Sequence, residues 1–138
     1  GAMLGVNVKI CSPKGFEADS KIVEKAKSLS EFGSKISISN DPLKAMKDAQ
    51  VIYTDVWASM GQEEEHLKRK KIFENYKVDQ KLIELADEGA IILHCLPAHR
   101  GEEITEEALE SKSSHVFDQA ENRLHVQQAL LAVQLGGI

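Results

Sequence analysis

Cysteine, proline and aromatic residues are all scarce here: two Cys, three Pro, and 5% Phe, Trp and Tyr with a single tryptophan. Two thiols far apart in sequence, Cys11 and Cys95, each in an apolar context, do not make the framework of a disulfide-stapled secreted domain. They read as free thiols of a reducing compartment. There is no surplus of basic charge; a net charge of -5 excludes the basic stripe that a nucleic acid needs. No apolar run approaches the roughly 18 residues of a membrane span, and no charged-then-apolar leader opens the chain. Repeats and low-complexity segments are absent. What is present is an ordinary globular composition, 42% hydrophobic and 28% charged over 138 residues. One domain of that size buries roughly two-thirds of its unfolded surface and needs no disulfide or metal to fold. The expectation is a cytoplasmic α/β domain without a nucleic-acid or membrane partner.

Gly1-Ala2-Met3 reads as a cleavage scar followed by a start residue and is set aside. Val6 to Cys11 is short and β-branched, and Ser12-Pro13-Lys14-Gly15 bounds it as a strand. From Ser20 the apolar residues Ile22, Val23, Ala26 and Leu29 keep the helical period, with Gly33 as the stop. Lys35 to Ser39 alternates as an edge strand. Asn40-Asp41-Pro42 is a helix start, with a polar cap followed by a proline whose missing N–H costs nothing. Gln50 to Thr54 is a third strand. After a loop over residues 55–62 comes a helix with Glu64 facing Lys68 and Glu65 facing Arg69, so the basic run Lys68 to Lys71 reads as a solvated face. Asp79 caps the next helix, with Val78 placed to pack on Ile83. Ala90 to Cys95, the most apolar segment, predicts a fully buried central strand. A short helix starts at Thr105, a fifth strand covers His115 to Asp118, and a final helix runs from about Ala120 to Leu135.

This alternation predicts a three-layer α/β/α sandwich around a mostly parallel, five-stranded, Rossmann-like sheet. Ligands of such sheets bind beyond the carboxyl ends of the strands. Three segments fall there. In the loop Asp55-Val56-Trp57-Ala58-Ser59-Met60-Gly61, an acid suits an ammonium, while a serine and loop amides suit a carboxylate. The plainer alternative is that Asp55 caps the next turn and Trp57 fills core. In the second segment, His94-Cys95-Leu96-Pro97-Ala98-His99-Arg100 crowds polar groups onto a buried strand end. A zinc site wants four ligands as spaced pairs, and Cys11 belongs to another strand, which counts against a metal. Two readings remain open: Cys95 as a covalent nucleophile with a histidine base, or Cys95 as a polar contact while strand-end carbonyls and Arg100 or Arg123 orient a carbonyl substrate. In the third segment, Asp118 to Arg123, an arginine in a first helical turn opposes the helix dipole. It serves either a ligand or an ion pair with Glu121 or Asp118.

The run from His94 to Thr105, the loop from Asp55 to Gly61 and the stretch Phe117 to Arg123, in this order and spacing, resemble the second, ornithine-binding domain of ornithine carbamoyltransferase. The resemblance spans Val6 to Gly137. Its Ser-Met-Gly loop and strand-end cysteine separate it from the aspartate-using relative. It implies that Asp55 holds the α-amino group of ornithine and that Ser59 and Met60 bind its carboxylate end. It implies further that Cys95 sits beside the attacking δ-amine, that the carbonyls of Cys95 and Leu96 receive the carbamoyl NH2, and that Arg123 donates to the carbamoyl oxygen. His94 and Pro97 support the loop. The implied reaction transfers the carbamoyl group of carbamoyl phosphate to ornithine, giving citrulline and phosphate, with no metal or organic cofactor. The complete enzyme is expected to be a homotrimer or higher.

Neither the phosphate-cradling Ser-Thr-Arg-Thr type of loop nor the asparagine stretch of the family's first domain occurs in these 138 residues. The expectation is therefore an isolated domain, residues 4–138, that folds but does not turn over. Six of the seven residues from Ala129 to Leu135 are apolar, too many for a helix with one solvated face. Rival readings are a carbamoyltransferase for another amine, putrescine or an acylated ornithine, and a non-catalytic amino-acid-binding module.

Overall fold

The computed structural model describes residues 1–58 and 63–136, without the side chains of residues 63 and 64. Four short strands alternate with helices: β1 (Val8–Cys11), α1 (Ser20–Ser28), β2 (Ile36–Ser39), α2 (Pro42–Met46), β3 (Val51–Thr54), α3 (Glu63–Phe73), α4 (Gln80–Ile83), β4 (Ile91–His94), α5 (Glu106–Leu109) and α6 (Val116–Gln134). The predicted helix starts at Ser20, at Asn40-Asp41-Pro42 and at Asp79 are borne out, and the first carries a cap that went unassigned in the sequence. The Asp19 carboxylate accepts the Lys21 N–H, Asp41 those of Leu43 and Lys44, and Asp79 that of Leu82. Each satisfies donors that a helix end leaves unpaired.

All strand pairing is parallel, as expected, but the sheet is not the continuous five-stranded one. β1 pairs with β2 and β3 with β4, as two separate two-stranded ladders. A cavity of about 570 Å³, lined by Lys9, Cys11, Val51 and Tyr53 among others, separates β1 from β3. Lys9 extends its ammonium to the carbonyl of Lys47, and a charged side chain on a strand edge opposes pairing there.

The fifth strand is also corrected. Ile92 donates to the carbonyl of Ser113 and accepts from the N–H of His115, a single parallel bridge centred on Ser114. The chain then turns directly into α6 at Val116. Val116 is fully buried in the core, and His115 Nδ1 lies 2.8 Å from the Asp118 carboxylate. Apolar anchoring of Val116 and the local His115–Asp118 side-chain contact accompany a first helical turn where a strand was predicted. With only a bridge on that side, β4 is not buried throughout: Ile92 and His94 are buried, while Ile91 and Leu93 are half-buried in a hollow under α6.

The core consists of Ile52, Val78, Ala90, Ile92, Ile104, Ala108, Leu109 and Val116, with Ile83 packed against it, so Val78 and Ile83 join the same cluster. α2 packs on α4 and on β1 and β2, α1 on β2, and α6 on β4. The Lys68–Lys71 run is a largely solvated helix face, with Glu65 and Arg69 paired at 3.1 Å; the Glu64 pairing falls outside the described side chains. Ala2 is packed, its carbonyl accepting the Glu31 N–H and the Ser34 hydroxyl. Along α6, Leu124, Val126, Leu130, Leu131 and Val133 are exposed, as the composition of that helix anticipates.

Ile92 and Leu130 should separate in a urea titration of this chain. Ile92→Ala is expected to lose about 2–5 kcal/mol, and Leu130→Ala to stay within about 0.5 kcal/mol.

Candidate functional site

Parallel register builds the site. Thr54 pairs with His94, so the residues that follow, Asp55 and Cys95, leave adjacent strand tips side by side. The Cys95 thiol donates to Oδ1 of Asp55 at 3.0 Å, and the same oxygen accepts the Val56 N–H at 2.7 Å. Oδ2 has no partner among the described residues. Asp55 thus caps its own turn, as the plainer reading had it, at the sheet end where the ammonium reading places a ligand. Trp57 is buried beside Phe73, as the plainer reading had it.

Cys95 is exposed. The Asp55 carboxylate that accepts its hydrogen bond, then burial, then the negative charge of that carboxylate push the thiol above its ordinary value of 9.0, against smaller downward pulls from a backbone hydrogen bond and Tyr53. Cys95 therefore rests as a neutral thiol at neutral pH. No histidine activates it: His94 has both ring nitrogens engaged. Its Nδ1 accepts the Leu96 N–H at 2.8 Å, which puts the ring proton on Nε2, donated to Oε1 of Glu103 at 3.0 Å. The covalent-nucleophile reading lacks its base, and the polar-contact reading gains.

His94 and Glu103 are both fully buried, and the same Glu103 oxygen accepts the His99 N–H at 2.6 Å. One carboxylate thereby folds the loop from Leu96 to Glu103 back onto the strand end. Leu96 is held at φ 55°, a left-handed conformation that costs a leucine about 1 kcal/mol or more, and the Leu96–Pro97 bond is cis. The carbonyls of Cys95 and Leu96 accept no hydrogen bond from any described residue. Gly101, at φ 85°, closes the loop by donating to the Ile104 carbonyl.

The third expected element is placed differently. Arg123 is the eighth residue of α6, so it does not oppose the dipole of a first turn. It flanks the hollow formed by Ile91, Leu93, Gln119 and Asn122, and makes no hydrogen bond to Asp55 or Cys95. The anticipated ion pair is absent too: Asp118 faces His115, and Glu121 faces His125. Arg100 is held by Glu106 and Glu110, each at 2.7 Å, and so is structural. Ser59, Met60 and Gly61 lie outside the described residues.

Three side chains went unassigned in the sequence. Glu103 carries the loop. Gln119 accepts the His94 N–H at 3.1 Å and donates to the Tyr53 hydroxyl at 3.0 Å, tying α6 to both strand tips. Both lie inside quoted motif segments, Arg-Gly-Glu-Glu and Asp-Gln-Ala-Glu-Asn-Arg, which was the available signal. Tyr53 carried none beyond its place in a strand.

Asp55→Asn should lower the pKa of Cys95, because it removes the acceptor and the charge that favour the protonated thiol. In a Cys11→Ser background, the pH profile of iodoacetamide alkylation is expected to move to lower pH. Glu103→Ala leaves the His94 Nε2–H and His99 N–H unpaired in the interior and should cost about 2–4 kcal/mol in urea unfolding.

A profile described as aspartate/ornithine carbamoyltransferase, Asp/Orn binding domain, matches residues 1–134. An ornithine carbamoyltransferase of Prochlorococcus marinus is 62% identical over 138 residues, covering 100% of this chain and 43% of that protein. One from Thermococcus kodakarensis is 50% identical, with 44% of its length covered. The solved ornithine carbamoyltransferase of Pyrococcus furiosus superposes with a TM-score of 0.92 at 49% identity, over 99% of this chain and 44% of that one. The chain thus spans less than half the length of these relatives. Matched along nearly its whole length, the chain belongs to the aspartate/ornithine carbamoyltransferase family, and corresponds to its Asp/Orn binding domain.

Proposed function

We propose that the whole protein is an ornithine carbamoyltransferase, converting ornithine and carbamoyl phosphate to citrulline and phosphate, and that this chain supplies its ornithine side. The observation that carries this reading is the apposition of Asp55 and Cys95 at paired strand tips. Oδ2 of Asp55 takes the α-ammonium of ornithine, and Ser59 and Met60 take its carboxylate end. The δ-amine then lies beside Cys95. The carbonyls of Cys95 and Leu96 accept the carbamoyl NH2, which fits their lack of other donors among the described residues.

The amine must be neutral to attack the carbonyl carbon. A protonated thiol suits that need, because a thiolate there would stabilise the ammonium. Negative charge then grows on the carbonyl oxygen as the tetrahedral intermediate forms, and the reading assigns Arg123 as its donor. His94 and Pro97 hold the loop. Phosphate binding belongs to a first domain, and alignment of the two substrates supplies much of the rate. The reading includes a homotrimeric or larger assembly and a cytoplasmic location. The apolar face of α6 then packs on the first domain.

An assay for citrulline tests this. The 138-residue chain alone, given both substrates, is expected to form none, and robust turnover by it would overturn the proposed division of labour. The whole protein should form citrulline with ornithine in preference to putrescine or acetylornithine. There Asp55→Asn, which removes a charge-assisted contact of about 1.5–3 kcal/mol, should raise KM for ornithine roughly 10- to 100-fold.

A further inference from the structure

A second polar cluster lies apart from the strand tips, where α3 meets the loop after β4. His66 of α3 places Nε2 2.8 Å from Oε2 of Glu102, and Lys70, one turn on, places its ammonium 3.0 Å from Oε1. The ring of His99 stands edge-on to that of His66, with centroids 6.2 Å apart. One ligand atom from each of His66, His99 and Glu102 falls within 4.8 Å of the others. All three side chains are partly exposed, which leaves both a path for an ion and room to rotate.

Behind His99 is an unsatisfied group. Glu103 is completely buried, and its Oε2 accepts no hydrogen bond from any described residue. That oxygen is 4.0 Å from Nδ1 of His99. An orphaned carboxylate oxygen in the interior is costly and calls for a donor. A modest turn of the His99 ring delivers Nδ1–H to it, which fixes the tautomer and leaves Nε2 as a lone-pair donor facing outward. A carboxylate behind a histidine in this way is the usual support of a metal-bound imidazole.

The geometry points to a zinc site formed by His66, His99 and Glu102, with Glu103 orienting His99, Lys70 holding the second oxygen of Glu102, and water in the fourth position. Two imidazoles and a carboxylate are a donor set that zinc accepts in a tetrahedral site with one open position. Ligand atoms in such a site lie about 3.3 Å apart, so the cluster must contract by about 1.5 Å or less. Bound zinc would clamp α3 to the loop that begins at Cys95, and so couple the ornithine side to metal without taking part in carbamoyl transfer. The other trio within metal-ligand distance, Asp55, His94 and Cys95, is less suited, since both ring nitrogens of His94 already hold the loop.

Zinc alone, titrated calorimetrically into the 138-residue chain, tests the inference. One zinc per chain is expected, and a rise in the thermal midpoint. Affinity should fall at least 10-fold in His66→Ala and in His99→Ala, and should persist in Cys95→Ser. Cobalt substituted at the same site should give the strong visible absorption of four-coordinate cobalt, lost in His66→Ala. Both histidines are partly exposed, so the variants should keep the circular dichroism of the parent; should either fail to, His66→Gln or His99→Gln replaces it. No zinc uptake by the parent chain would overturn the proposal. So would uptake abolished by Cys95→Ser and unchanged by His66→Ala.

Discussion

Everything at the strand tips depends on the register of one parallel ladder. Because Thr54 lies opposite His94, the next residue on each strand emerges at the same height. A one-residue slip would put Asp55 beside Leu96 and would turn every side chain of one strand to the other face. Register is held by the core beneath it: Ile52 and Ile92 are partners in the ladder and both are buried. Apolar packing of two isoleucines thus sets a polar contact three residues away.

The second constraint is the His94–Glu103 pair. Burying two polar side chains is unfavourable unless their hydrogen bonds are met, and here three of them are met locally, by Leu96, by each other and by His99. The gain is a loop whose backbone carbonyls at Cys95 and Leu96 accept no hydrogen bond from the described residues. A more regular turn would have consumed those carbonyls internally. The left-handed Leu96 is part of the same arrangement: its backbone gives its N–H to the His94 ring.

Much of this was legible in the sequence where the signal is local. Helix caps at Asp41 and Asp79 need only the residues within one turn, and strands β1 to β4 announce themselves by composition and boundary. Asp55 and Cys95 could be placed at strand ends, and the parallel rule then brought them together. What failed was longer in range. Sequence between residues 113 and 118 is compatible with strand or helix, and burial of Val116 with the His115–Asp118 contact decides for helix. That shift lengthens α6 at its start and moves Arg123 away from the first turn. Continuity of the sheet was equally hidden, since nothing local to Lys9 or Val51 says whether their strands will meet. Glu103 stands in the sequence only as the second acid of Arg-Gly-Glu-Glu, and the fold places it inside.

In the proposed function Asp55 has two tasks that pull in opposite directions. A carboxylate that holds an α-ammonium must stay charged and open, yet a charged carboxylate next to a δ-amine would also favour its unreactive ammonium form. The geometry divides these tasks between oxygens. Oδ1 is spent on the Cys95 thiol and the Val56 N–H, and Oδ2 is the oxygen left to a ligand. By keeping the thiol protonated, Asp55 also prevents a second negative charge from forming where the proposed function seats the nucleophilic amine. In that proposal a neutral, polarisable sulfur lies beside the amine, too weak a base to hold its proton.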